Sequence, residues 1–134
     1  MPSFEDLKVF QRALDLTVAI YEQTEHFPRR ETYGLTAQLR SAAVSIISNL
    51  GEGQGRITVG EWRQFLSHAR GSLYELQAQL LVAHRLHYIN DEQANALRTG
   101  TTEVGCLLAG LIRYVRRREE ARATNNKQRV TRNV

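Results

Sequence analysis

The chain holds a single cysteine, two prolines, one tryptophan and only 7% aromatic residues. One cysteine, Cys106, excludes an internal disulfide and any cysteine-based zinc cluster. Two prolines, Pro2 and Pro28, leave the rest of the 134 residues nearly free of strong helix breakers. That excludes a sandwich or barrel built from many short strands and turns. No run approaches the ~18 apolar residues of a membrane helix, so no membrane partner is expected. The opening Met-Pro-Ser-Phe-Glu-Asp lacks the basic and apolar regions of a signal peptide. The simplest expectation from these absences is a cytoplasmic protein. What is present is an ordinary globular balance, 42% hydrophobic and 24% charged, with length for one domain.

The net charge of +4 is unevenly spread. Residues 113–134 carry eight bases against Glu119 and Glu120, a local +6, which leaves −2 for residues 1–112. Basicity is a property of the C-terminal segment.

Four segments read as amphipathic helices. The first runs from about Phe4 to Glu25, with Ser3 as cap and Asp6 closing a weak capping box. Leu7, Phe10, Leu14, Val18 and Tyr21 are its expected buried stripe, and Phe27-Pro28 its stop. The second runs from about Thr32 to Leu50, with Leu35, Leu39, Ala42 or Ala43, Ile46 and Leu50 facing the core. Gly51, Gly53 and Gly55 are expected to end it. The third opens on a Thr58–Glu61 capping box and reaches about Leu86. Trp62, Ala69, Leu76 and Ala83 interleave with Leu66, Leu73, Leu80 and His87 in a seam sustained over three heptads. Phe65, Leu81, Val82 and Leu86 lie off that seam and predict a second buried face. The fourth opens on an Asn90–Gln93 capping box, with Leu97, Val104, Leu108, Leu111 and Val115 on one side. Gly100, Gly105 and Gly110 inside it predict close helix contacts. The expected architecture is an all-α, antiparallel up-down-up-down four-helix bundle over residues 1–122, with a basic disordered tail over 123–134.

No constellation for catalysis is present, so a non-enzymatic protein is expected. His84 and His87 are three apart, but no Glu-x-x-His pair supports a di-iron site, and neither metal nor cofactor is expected. Cys106, between Val104 and Leu108, reads as a buried small hydrophobe. Gly51-Glu-Gly-Gln-Gly-Arg56 is either a phosphate-cradling turn with Arg56 as donor or a helix stop with Glu52 and Arg56 paired; the second has the greater weight. It has neither the Lys-Ser/Thr of a Walker loop nor a preceding strand. Arg113, Arg116, Arg117, Arg118 and Arg122 are spaced as a basic stripe on the last turns of the fourth helix. They are candidates, with Arg56, for phosphate contacts to RNA or DNA, and equally for cations placed favourably at a helix C-terminus.

The order of words in the chain goes further. Phe4-Glu-Asp-Leu-Lys-Val-Phe-Gln-Arg-Ala13 precedes Ile20-Tyr21 and Phe27-Pro28. Then come Tyr33-Gly-Leu-Thr-Ala-Gln-Leu-Arg-Ser-Ala-Ala-Val-Ser-Ile46, Ser48-Asn49, Glu52-Gly53-x-Gly55-Arg56, Phe65-Leu66-x-x-Ala69-x-Gly71-Ser-Leu-x-Glu75 and Gln79-Leu80. Over about residues 4–90 this resembles the four-helix-bundle proteins encoded by intervening sequences in bacterial 23S rRNA genes, often labelled the S23 ribosomal protein family. Phe10 stands where the family usually has Trp, and Leu50-Gly51 where it has Ile-Ala. The resemblance implies a homo-oligomeric ring, most often a pentamer. Distant relatives, the accessory proteins of diversity-generating retroelements, resemble the same ring and bind nucleic acid. The ribosomal label marks where some genes lie and does not imply membership of the ribosome. Two functional expectations follow: an oligomer associated with nucleic acid, RNA first, through the basic patch, or an oligomeric protein–protein adaptor with no nucleic-acid role.

Overall fold

A computed structural model describes residues 7–56 and 58–132. Four helices account for most of them: α1 (Lys8–Thr24), α2 (Leu35–Gln54), α3 (Val59–Arg85) and α4 (Asp91–Arg132). No strand occurs among the described residues. α2 packs on α1 and α3, and α4 packs on α1 and α3, which closes a four-helix bundle around one core.

The caps explain most of the boundaries. Thr58 Oγ1 accepts the Glu61 backbone N–H at 3.1 Å at the start of α3. Asn90 and Gln93 cap α4 reciprocally, at 2.8 and 2.9 Å. The second is the expected reciprocal box; at α3 the Thr58 cap forms, and both satisfy donors that the first helical turn leaves open. α1 begins at Lys8, later than expected, because Leu7 is extended (φ −71°, ψ 128°). The anticipated caps Ser3 and Asp6 lie outside the described residues. α2 also begins late. Arg29–Glu31 form a 3-10 turn, Thr32 turns back to donate its hydroxyl to Arg29 O (2.7 Å), and the helix opens at Leu35.

The third-helix seam is buried as expected: Trp62, Leu66, Ala69, Leu73, Leu76 and Ala83 face the core, and Leu80 is half-buried. His87 departs from it. It is exposed, with φ 63°, and sits just past the helix end. There the His87 N–H reaches His84 O (3.0 Å) and the Tyr88 N–H reaches Ala83 O (2.9 Å). That is a Schellman closure with a histidine where glycine is usual. The heptad spacing continued past the point where the helix stops.

The largest correction falls on α1. Its buried residues are Val9, Ala13, Leu16 and Ile20, with Thr17 and Thr24. Of the stripe expected to be core, Leu7 and Phe10 are half-buried against the cluster, but Leu14, Val18 and Tyr21 are 38%, 51% and 40% exposed. α1 carries two apolar stripes. The core takes the one holding Ala13 beside Leu16, where small and large side chains alternate against α2 and α4. Thr17 and Thr24 fit this seam because their hydroxyls donate to Ala13 O (2.8 Å) and Ile20 O (2.7 Å) one turn back. Arg40 of α2 then donates to Thr24 Oγ1 at 2.8 Å and stacks on Tyr21, 4.5 Å from the ring centre.

α4 buries Leu97, Val104, Leu108, Ile112 and Val115, with Leu111 half-buried. Gly100 and Gly105 lie against Leu16 and Leu73, as close contacts require, whereas Gly110 lies near only the Arg113 guanidinium. Cys106 is exposed, which corrects its expected burial; Gly105 and Leu107 are half-buried to either side of it. The helix also runs on through residues 123–132, where disorder is expected, with every one of these residues exposed. Extending a nucleated helix adds a hydrogen bond per residue, so order continues beyond the packing that started it.

Glu31 joins three segments at one end of the bundle. Its carboxylate accepts the Leu35 N–H (3.2 Å) and the Tyr88 hydroxyl (2.8 Å), and Tyr88 packs on buried Phe27. The Tyr88 hydroxyl, then the Leu35 N–H, hold the carboxyl below its ordinary 4.5, over the opposing push of burial and with help from Arg30. A depressed folded value means that the stabilisation is present above the unfolded carboxylate range and is lost as pH falls through the folded value. Urea unfolding of Glu31→Gln should therefore show reduced stability at neutral pH, with the gap from the parent closing in acid. A gap that persists unchanged in acid would assign the loss to side-chain shape and not to charge.

Candidate nucleic-acid interface

The basic residues gather where α2 ends and α3 begins, opposite the Glu31 end. Gly51 and Gly53 do not stop α2; they lie inside it, and only Gly55 sits at the cap. Gly53 is buried because α3 crosses directly over it. A Cβ there would stand 3.0 Å from Phe65 Cβ and 3.1 Å from Trp62 Cδ1. The glycine is required for that approach and not for a turn, since no glycine among the described residues has a positive φ. The Gly55 and Arg56 N–H groups are already bonded to Glu52 O and Gly53 O. The phosphate-cradle reading of this stretch is thereby replaced by the helix stop, with Arg56 Nη2 held by Glu52 Oε2 at 3.2 Å.

The crossing builds an aromatic patch. Arg56 lies over the Phe65 ring, 4.5 Å from its centre. Trp62 meets Tyr114 of α4 edge to face at 6.3 Å, and Arg118 lies over Tyr114 at 5.8 Å. The Trp62 indole N–H is buried with no hydrogen-bond partner. Arg56 and Arg118 are thus each stacked on a ring, Phe65 and Tyr114, to either side of buried Trp62. Arg63 joins the same end and ties it to α4 by an ion pair with Glu119 at 2.8 Å. The sequence places only Tyr114 near the basic stripe. Phe65 and Trp62 come to it through the close approach at Gly53, which glycine spacing alone does not reveal.

The five arginines of α4 do not form one stripe. At 100° per residue, Arg113 and Arg117 project away from buried Val115 and Arg116 lies beside it. Arg118 and Arg122 fall roughly 60° and 20° from Val115, on the side that faces the core lower down and continues past the bundle. Arg113, Arg116, Arg117 and Arg122 are exposed, and no carboxylate lies within ion-pair distance of them among the described residues. Glu119, one of the two acids in this segment, is already taken by Arg63. The positive charge here is uncompensated.

Other parts of the molecule offer less chemistry. Among the described residues no group of three or more His, Cys, Asp or Glu is placed to hold a metal ion. A groove of about 260 Å³ between α3 and α4 is lined by Leu80, Leu81, His84, Ile89, Arg98 and Thr101, near the far end from the basic patch. His84 there is engaged with Asp91 at 2.7 Å. No helix among the described residues is long and apolar enough to cross a membrane.

The close packing at Gly53 is directly testable. Alanine at an uncrowded helical glycine stabilises by up to about 1 kcal/mol. Gly71 has open space where a Cβ would stand, so Gly71→Ala should raise the thermal midpoint. Gly53→Ala should lower it, by overpacking of about 1–3 kcal/mol. A gain at Gly53 would mean that α3 does not press on α2 there.

A family model described as 23S rRNA-intervening sequence protein matches residues 5–110. A solved protein of unknown function from the S23 ribosomal protein family of Bacteroides thetaiotaomicron VPI-5482 has a similar fold, with a TM-score of 0.72 at 22% identity. The similarity covers 78% of this chain and 95% of that one. No curated protein matches the chain.

Proposed function

The chain belongs to the 23S rRNA-intervening sequence protein family, and from that premise we propose that it is a non-catalytic, self-assembling bundle that associates with nucleic acid through its basic end. The observation that carries the proposal is the segregation of charge. Residues 113–134 hold a net +6, and of the arginines that hold it Arg113, Arg116, Arg117, Arg122, Arg129 and Arg132 are exposed on α4 with no carboxylate in ion-pair distance among the described residues. The family match ends at residue 110, so this charge is argued from the chain's own residues. RNA is the partner that the family resemblance brings forward. Phosphate-directed binding is the mode that unpaired arginines favour.

Assembly is supported by apolar surface that the single chain leaves open. Leu14, Val18 and Tyr21 of α1 are exposed beside Val44 of α2, 36% exposed. On α3, Tyr74, Leu81, Val82 and Leu86 are exposed too. Faces of this kind mark interaction sites. The ring of five is the arrangement that the resemblance implies; it would collect roughly +30 from five basic segments and strengthen counterion release. An antiparallel bundle is part of the same reading. It is supported by Arg12 pairing with Glu103 while Leu16, further along α1, meets Gly100, earlier on α4.

Two measurements test the proposal. Val115 is fully buried and Glu119 is paired, so a truncation that spares the bundle must fall after Glu120. Removing residues 121–134 deletes Arg122, Lys127, Arg129 and Arg132. Binding to RNA or DNA should weaken, and the slope of log affinity against log salt should flatten by about 0.7–0.9 for each phosphate no longer neutralised. Equal affinity and slope would move the interface to Arg56, Arg63 and Arg118. Absence of binding by the full chain at moderate salt would leave the protein-adaptor reading.

For assembly, light scattering of the full chain should give a multiple of 15.3 kDa. The Leu14→Glu, Val18→Glu pair should reduce the mass to that of one chain with unchanged helix content. An unaltered mass would place the interface on α3. A parent mass near that of one chain would reject assembly.

A further inference from the structure

We infer that the projecting part of α4 is a groove-reading helix for B-form double-stranded DNA. The inference deepens the nucleic-acid reading above and rests on it. Residues 120–132 are helical and exposed on every side, so this stretch stands clear of the bundle that anchors its root. From its root, where Arg118 is half-buried over Tyr114, Arg118, Arg122, Asn125, Arg129 and Arg132 recur at spacings of four and three. On a helix that spacing aligns them along one side, over about 21 Å.

The chemistry of the stripe limits what it can face. It contains no apolar residue, and Val130, the one large hydrophobic of the segment, lies off it. A coiled-coil partner needs an apolar seam, which excludes a second helix packed on this side. No acid follows Glu120, so the cations are not satisfied within the segment. Guanidinium forks suit phosphates and the guanine edge, and an asparagine amide suits the adenine edge. Arg116 and Lys127 point to the opposite side, and Arg117 lies between the two.

Shape then selects the duplex. A helix with its side chains is about 10–12 Å across. The B-form major groove is about 12 Å wide and admits it. The A-form major groove of double-stranded RNA is deep and too narrow for it. The 21 Å stripe spans about six base pairs at 3.4 Å each.

The test uses the full chain with a 20-base-pair DNA duplex, the matching RNA duplex and single-stranded RNA, by fluorescence anisotropy at two salt concentrations. The DNA duplex should bind about tenfold or more tighter than the RNA duplex. The Arg122→Gln, Arg129→Gln pair should lose about tenfold in DNA affinity, and the Arg116→Gln, Arg117→Gln pair about threefold, although each removes two charges. Asn125→Pro keeps every charge and breaks the helix outside the bundle. It should erase the preference for DNA over RNA while leaving salt-dependent binding and the thermal midpoint of the bundle intact. Equal binding of both duplexes, with equal losses for both arginine pairs, would overturn groove reading and leave the broader nucleic-acid proposal standing. Preference for either RNA would do the same. Failure to bind any of the three probes would remove both proposals.

Discussion

The close approach of α2 to α3 at Gly53 is the constraint on which the basic end of the molecule depends. With no Cβ at 53, α3 lies directly on the end of α2, and Trp62 and Phe65 are pressed against the helix backbone. Trp62 then reaches Tyr114, and Phe65 receives Arg56. Further along the same seam small residues continue the approach, with the Ser45–Ser72 hydroxyl pair at 2.8 Å. Dispersion rises steeply as helices draw closer, so a seam of small side chains concentrates packing where two helices are already short of room. The position of α4 at this end follows from α3, because Tyr114 meets Trp62 edge to face there. What projects from the bundle, and in which direction, is decided by that docking.

The far end is closed differently. Glu31 replaces a serine or threonine cap at α2 and reaches Tyr88 in the α3–α4 connection, so one carboxylate ties two helix connections together. His87 accepts a left-handed backbone there so that Tyr88 can turn back over Phe27. A non-glycine residue in that region costs about 1–2 kcal/mol. The cost is offset by the Schellman hydrogen bonds and by the ring packing that the turn permits. The two ends thus have opposite characters: one is tied by specific hydrogen bonds, and the other carries stacked and unpaired cations.

Much of this was legible in the residues. The Thr58 and Asn90 caps, the α3 seam from Trp62 to Ala83 and the all-helical class follow from local chemistry and a 3.6-residue period. The α1 face was not legible, because Leu14, Val18 and Tyr21 form as good a period as Val9, Ala13, Leu16 and Ile20. Periodicity ranks stripes by size and spacing, whereas the bundle chose the one with an alanine that its neighbours could approach. The glycines misled for a related reason. Glycine spacing signals either a break or a close contact, and only the partner helix decides which. The candidate arginines were found by charge and spacing. Their aromatic partners Phe65 and Trp62 were not, since they come from a different helix.

The discarded α1 stripe and the projecting end of α4 have one physical feature in common. Each is ordered structure whose side chains the single chain does not use. An apolar stripe left open on α1 costs solubility, and an uncompensated cationic helix costs self-repulsion. Neither is needed to hold the core, which is complete at Val115. Arg118 and Arg122 hold no carboxylate among the described residues, whereas Arg12, Arg40, Arg56 and Arg63 hold Glu103, Glu25, Glu52 and Glu119. Favourable placement at a helix C-terminus accounts for cations in the last turn, Arg129 and Arg132, but its reach fades within that turn. Arg113, Arg116, Arg117, Arg118 and Arg122 lie two to five turns earlier and remain without an internal role beyond the stacking of Arg118 on Tyr114. Charge that neither the core nor the helix dipole requires is charge available to a polyanion.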